Sequence, residues 1–361
     1  MWVRSLLAVV LAAAAVLIGW RVLAPAEVLS TATGPEPSPV AHAPGVTGRT
    51  SAAPLIVDGR VRVFASKRQV RADAPVDAKT AYTARWSFRR WPQQVSGVVA
   101  AGRIVITRWS DGDLVALDGL SGRIAWRTTG PRAPAFTGSR TGAATVWAPP
   151  GLHLAGGSVL VAAGASLIAY VVGTGVRQWA TTVPAGCTDG FTTAGGAYVC
   201  PTAAFATATG RPIRSWPPGP SAALACEVAA SNCQGLRDSA GHGWSVAGSP
   251  VRRPALDPPA ATLVAGSVFT PPAGDLVLGA VPGRAVVLTA GRHLQEIDPR
   301  TGATTADFPL RIGAEKLTWT PGGYQVAGGY AAIERLIAGG PTDPDAPDYY
   351  FSQETVILAA L

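Results

Sequence analysis

A short unit recurs along this chain: an apolar strand, often an aspartate, a turn of a small residue and glycine, then an aromatic residue three to six positions later. Its clearest copy is LVALDGLSGRIAWR, Leu114 to Arg127, where Leu114 and Ala116 alternate toward Asp118, Gly122 turns the chain and Trp126 closes a second strand. Glycine supplies the positive φ that such a turn needs. Further copies end at Trp86, Trp179, Trp216, Trp244 and Phe308. The turn positions are Ala81, Gly122, Gly175, Gly210, Gly241 and Gly302, separated by 41, 53, 35, 31 and 61 residues. Glycine-led strands such as GRVRVFA, GRIVITR, GSVLVAA, GAYVCP and GRAVVLTA precede five of the hairpins. Two hairpin strands and two flanking strands make a four-stranded sheet, and sheets repeated at this spacing predict a radial array better than a sandwich. The 42 glycines and 31 prolines are scattered between short apolar runs, as many turns require. The expectation is an all-β fold, a β-propeller of seven four-stranded blades, with six or eight as open alternatives.

The unit resembles the PQQ-like, or quinoprotein dehydrogenase-like, β-propeller repeat, whose pattern is close to (L/A)-D-x-x-T-G-x-x-x-W. The resemblance covers residues 55–361 and is clearest at 114–127 and 294–308. It points in particular to small membrane-anchored members from high-GC Gram-positive bacteria. It implies that Trp86, Trp126, Trp179, Trp216 and Trp244 dock between adjacent blades with each indole N–H bonded to backbone carbonyls. Phe308 would fill the same wedge without a donor. Asp77, Asp118 and Asp298, four residues before their turn positions, are read as turn caps that accept backbone N–H bonds. Gly122, Gly175, Gly210, Gly241 and Gly302 are read as the turn glycines. The repeat indicates a shape, and function belongs to sites grafted on it.

The N-terminus sets the compartment. Ser5 to Trp20 is uncharged and nearly all apolar, with Trp2 and Trp20 bracketing a stretch whose helix would span roughly 27 Å. The expected organisation is a cytoplasmic stub at 1–4, a transmembrane anchor or uncleaved signal at 5–23, a Pro/Ala/Ser/Thr-rich flexible tether at 24–54 and the propeller at 55–361. Secretion after cleavage near Ala26, at the A-x-A-like Ala24-Pro25-Ala26, is the competing expectation. Four cysteines, Cys187, Cys200, Cys226 and Cys233, lack zinc-like spacing, and their even number favours disulfides outside the cytoplasm. The preferred pairing is Cys187 with Cys200 and Cys226 with Cys233, each within one hairpin or loop.

The formal charge of +8 is spread along the chain, with one compact group, Arg85, Arg89 and Arg90 beside Trp86 and Trp91. No recognition motif accompanies it, so nucleic acid is not an expected partner, and weak attraction to anionic lipid or polymer is the preferred reading of the charge. The sequence holds no G-x-S-x-G elbow, P-loop or H-E-x-x-H. His42, His153, His242 and His293 are isolated, Asp111-Gly112-Asp113 reads as a solvated turn, and the acidic run at 341–351 as a surface loop. A quinoprotein dehydrogenase would need adjacent cysteines and a calcium site rich in Glu, Asn and Asp. This chain has no Cys-Cys pair and one asparagine, Asn232. No catalytic, cofactor or metal residue is assigned. The expected function is a non-enzymatic, membrane-tethered extracytoplasmic propeller that binds a protein or envelope ligand. The alternatives are a dehydrogenase using PQQ with calcium, and an accessory factor of envelope assembly.

Overall fold

The computed structural model describes residues 26–40, 42–77, 84–136, 141–214, 219–224, 230–239, 243–246, 255–256, 262–264, 267–314, 318–337 and 355–361, with residues 2, 6, 9–14, 16, 216 and 226. Most of the expected span at 5–23 lies outside these residues, as do Ala81, Gly241, His242 and the run 341–351. Among the described residues no helix is long and apolar enough to cross a membrane.

Two strands precede the first repeat, β1 (Glu27–Ser30) and β2 (Gly45–Thr50). The first sheet is then β3 (Leu55–Val57), β4 (Val61–Ser66), β5 (Gln69–Asp73) and β6 (Trp86–Arg90); the second is β7 (Val95–Ala101), β8 (Ile104–Trp109), β9 (Asp113–Asp118) and β10 (Ile124–Thr129). A short helix, α1 (Ala143–Trp147), leads to the third sheet: β11 (Leu152–Ala155), β12 (Ser158–Ala163), β13 (Ser166–Val171) and β14 (Arg177–Thr182). The fourth holds β15 (Phe191–Thr192), β16 (Ala197–Cys200) and β17 (Ala203–Ala206), and the fifth β18 (Ser221–Leu224), β19 (Gly235–Asp238), β20 (Gly243–Ser245) and β21 (Ala255–Leu256). A two-stranded piece, β22 (Thr262–Val264) and β23 (Ser267–Phe269), separates these from β24 (Leu276–Val281), β25 (Arg284–Leu288), β26 (His293–Ile297) and β27 (Thr304–Pro309). The last sheet is β28 (Trp319–Ala327), β29 (Tyr330–Ile337) and β30 (Thr355–Ala360), completed by β2.

Sheets in this arrangement are covered on both faces near their inner strands, so those strands are mostly apolar and bury the few polar residues they carry. Val105 to Trp109 in β8 and Ser158 to Ala162 in β12 are buried at every position. Outer strands meet solvent on one side, and β10 and β14 alternate accordingly. Removal of this much apolar surface from water is the main driving force for the fold.

The segment 24–54 departs from its expectation as a flexible tether. Its Pro/Ser/Thr/Gly composition hides two short strands that gain partners only through long-range pairing. β1 lies antiparallel on the outer edge of β6, with Val28 opposite Arg89. β2 pairs with β30, with Val46 opposite Ala359 and Thr50 opposite Val356. The intervening stretch is fastened as well: Ala32 N–H donates to Ser121 O at 2.9 Å, Glu36 meets Arg103 at 2.7 Å, and the Tyr330 hydroxyl donates to Val40 O at 3.3 Å. An N-terminal strand thus completes the C-terminal sheet. The first and last sheets are joined again at their inner strands, where Gln325 accepts from Ile56 N–H at 2.8 Å and donates to Ile56 O at 3.4 Å.

Candidate functional site

The repeat residues form a bolt between neighbouring sheets. At Gly122 the turn is closed by Gly122 N–H to Asp118 O at 2.7 Å and Asp118 N–H to Arg123 O at 2.8 Å. Gly175 with Val171, Gly210 with Ala206 and Gly302 with Asp298 repeat the same glycine bond at 2.8 Å. Gly122 has φ 74° and lies against Trp86, so a Cβ there would come within 2.4 Å of that side chain. The Trp86 indole N–H donates to Gly119 O at 2.7 Å in the same turn. Trp126 covers Gly175 and donates to Val172 O at 2.7 Å, and Trp179 covers Gly210 and donates to Thr207 O at 3.0 Å. Each tryptophan belongs to one sheet and each turn to the next. Asp118 adds the cap: its Oδ1 accepts from Leu120 N–H, Ser121 N–H and the Ser121 hydroxyl, at 3.1, 2.8 and 2.8 Å. Burial alone would raise its pKa, but the bonds from Ser121, the nearby Arg103 and the Leu120 N–H hold it below the usual carboxylate range.

The remaining repeat residues vary. Asp298 caps its turn by accepting from Arg300 N–H at 2.8 Å. Gly302 keeps the left-handed conformation at φ 72°, yet no atom of the described residues would stand within 4 Å of a Cβ there. The reason is order: β22 and β23, which carry no repeat tryptophan, intervene before this sheet. Trp216 is buried with Phe191 and Leu236. Trp244 differs from the docking expectation, because its indole N–H is taken by Asp238 Oδ2 at 2.8 Å within its own sheet. Phe308 packs against the cluster of Trp319, Ala331 and Ile333, filling the wedge before the last sheet. Asp77 pairs with His42 at 2.8 Å, so a histidine expected in a free tether is a fastening of it; the turn Asp77 was expected to cap lies outside the described residues. Both disulfides, Cys187–Cys200 and Cys226–Cys233, are formed.

At the centre, β18, β24 and β28 face α1 across a cavity of about 470 Å³. The loop between the second and third sheets carries α1 there, and Trp147 fixes it by donating to Pro54 O at 2.9 Å. Helix and strand touch because β28 offers Gly323, whose Cβ would lie 2.9 Å from the Trp147 ring. Val277, Leu278, Tyr324 and Val326 supply apolar walls. The charged group in the lining is Glu334, 8% exposed, which accepts a bond from the Thr141 hydroxyl and one from Gly323 N–H at 3.1 Å. Burial pushes the Tyr324 hydroxyl pKa up. Sequence reasoning did not single out Glu334, Gln325 or Trp147; the signal was polar residues inside apolar runs, as in YAAIERLI and YQVA.

A second, open depression of about 740 Å³ lies over the turns of the third and fourth sheets, lined by Ser158, Gln178, Thr193, Thr207 and Asn232 with Gly156 and Gly157. The second and third sheets also bury polar groups. Arg108, 1% exposed, donates to Pro150 O and Gly151 O at 3.1 Å each, and burial lowers its pKa to about 10. His153 is buried beside Tyr198, with ring centroids 5.5 Å apart. Burial and the Arg108 charge lower its pKa to about 4, against a smaller opposing pull from the Ala230 carbonyl.

A quinone of the PQQ type, a planar polycarboxylate, does not fit the central cavity. Among the described residues the lining offers the Glu334 carboxyl and no Arg or Lys to neutralise carboxylates. Among the described residues no group of His, Cys, Asp and Glu is placed to hold a metal ion.

The sequence model of the PQQ-like repeat family, described as outer membrane protein assembly factor BamB, matches residues 18–214. Among solved structures, BamB from Moraxella catarrhalis is similar at 15% identity and a TM-score of 0.39, covering 88% of this chain and 83% of that one. The computationally designed Ika8 protein is similar at 12% identity and a TM-score of 0.39, covering 84% and 81%. No curated protein matches the chain.

Proposed function

The chain belongs to the PQQ-like repeat family, and from that premise we propose that it is a membrane-tethered extracytoplasmic propeller that binds a protein of the cell envelope and catalyses no reaction. The observation that carries this reading is the lining of the inner cavity. Helix α1 and Trp147 pack on the inner strands β7 and β28, and among the described residues the cavity beside them carries the Glu334 carboxyl where a quinone needs cations. The open polar depression over Ser158, Thr193 and Thr207 is the surface this reading assigns to the partner. The family description, outer membrane protein assembly factor, favours a role in envelope assembly within the same reading. The seven sheets of three to five strands and the β22–β23 pair are read as an eight-bladed ring closed by β2. The anchor is residues 5–23, and the two disulfides support a domain outside the cytoplasm.

The test is photocrosslinking in native membranes of the full-length chain carrying a benzophenone side chain in place of Ala208, an exposed residue of the same depression. One discrete protein adduct, absent when the same group replaces Ala306 on β27, is the expected result. Calcium-dependent dye reduction with added quinone and alcohols or sugars, without such an adduct, would establish the dehydrogenase reading instead.

A further inference from the structure

We propose that one corner of the first sheet is a lipid-facing surface that rests on anionic headgroups of the membrane. The proposal rests on the reading of residues 5–23 as a retained anchor. The apolar run ends at Leu23 and β1 begins at Glu27. Three intervening residues reach only about 10–14 Å even when fully extended. The pairing of β1 with β6 therefore removes the slack that a 31-residue tether, 24–54, would provide. The first sheet is held at the bilayer by its outer edge.

The residues at that edge suit the location. Trp91 N–H donates to Ala26 O at 2.6 Å, so the chain arrives from the anchor directly beside Trp91, which is 41% exposed. The β4–β5 turn comes to the same place: Arg90 N–H donates to Arg68 O at 3.1 Å and Val95 N–H to Lys67 O at 3.0 Å. The Arg68 guanidinium sits 4.0 Å over the Trp91 ring. Among the described residues, five cations and three carboxylates share the corner. Arg90 is neutralised by Glu27, Asp111 and Asp113, at 3.5, 3.0 and 2.9 Å, and Arg127 meets Glu27 at 2.6 Å. Lys67 and Arg89 are exposed and make no ion pair among the described residues, and Arg68 has its ring contact and a bond to Pro92 O. An exposed tryptophan flanked by uncompensated cations is the chemistry that seats at a headgroup layer, the ring at the interface and the cations on anionic lipid. The compact basic group in the sequence thus divides. Arg85 points to the opposite end of the sheet, where it binds Leu120 O and Pro35 O at 2.7 Å each, while Arg89 belongs to this corner.

The full-length chain, reconstituted in phosphatidylglycerol–phosphatidylcholine nanodiscs, tests this with a benzophenone side chain in place of Trp91 or, as the distant control, of Val176, which is 61% exposed. Lipid adducts at position 91 and none at 176 are expected. Combining Lys67→Glu, Arg68→Glu and Arg89→Glu should cut the adduct yield at position 91 at least about five-fold, with the thermal unfolding midpoint unchanged. Equal yields at 91 and 176, or a yield indifferent to the charge reversals, overturn the proposal while leaving the anchor in place. A chain that fails to remain with the discs overturns the anchoring reading, and this proposal with it.

Discussion

At the scale of single residues, the inter-sheet bolt makes a sharp comparison possible. Gly122 and Gly302 have nearly the same φ, 74° and 72°, but only Gly122 lies under a tryptophan. Gly302→Ala should lose about 1 kcal/mol, the cost of a left-handed alanine. Gly122→Ala adds overpacking against Trp86 and should lose about 2–4 kcal/mol. Urea unfolding of the two variants measures the difference; equal losses would remove the tryptophan's role. His153 predicts a pH effect. Its pKa falls from 6.5 to about 4 on folding, so the unfolded chain binds the proton first. Stability is therefore full above pH 6.5 and declines as the pH falls toward 4, by about 2–3 kcal/mol. His153→Leu should flatten that decline in urea titrations at the two pH values. The glycine, aspartate and tryptophan of the unit were legible because their spacing is local. Arg90 with Asp111 and Asp113 was not, because the acids lie on the next sheet and nothing in an Asp-Gly-Asp turn reports what faces it.

Among elements, the N-terminal segment carries the largest difference between sequence and structure. Residues 24–54 lack the alternating apolar pattern of a strand, and β1 and β2 form because β6 and β30 offer unpaired edges. Pairing with a distant edge leaves no local trace. The glycine-led strands, by contrast, correspond to β4, β8, β12, β16 and β25, each the second strand of its sheet, where burial on both faces favours a largely apolar run. The junction of first and last sheets can be probed at Gln325. Replacing it with alanine strands both peptide groups of Ile56 in a buried site and should cost about 2–3 kcal/mol, read by chemical denaturation. A loss within error of zero would mean that β2 alone holds the ring. Replacing Cys187 and Cys200 together with serine frees a loop of 13 residues and should cost about 3 kcal/mol in the same assay.

For the whole molecule, the repeat fixes an architecture and the departures from it point to a role. A propeller's inner cavity can cradle a cofactor, whereas here α1 packs against the inner strands and Glu334 lines the cavity beside it. No local motif announces α1, a five-residue helix inside a long loop whose position depends on Pro54 and Gly323, both distant in sequence. The same geometry leaves the turns of the third and fourth sheets open and polar. The most direct measurement is quinone binding by the intact chain, purified in detergent and titrated with PQQ and calcium while absorbance and dye reduction are followed. The scaffold account predicts no bound quinone band and no turnover, before and after Glu334→Gln. A saturable quinone band with calcium-dependent turnover would contradict it.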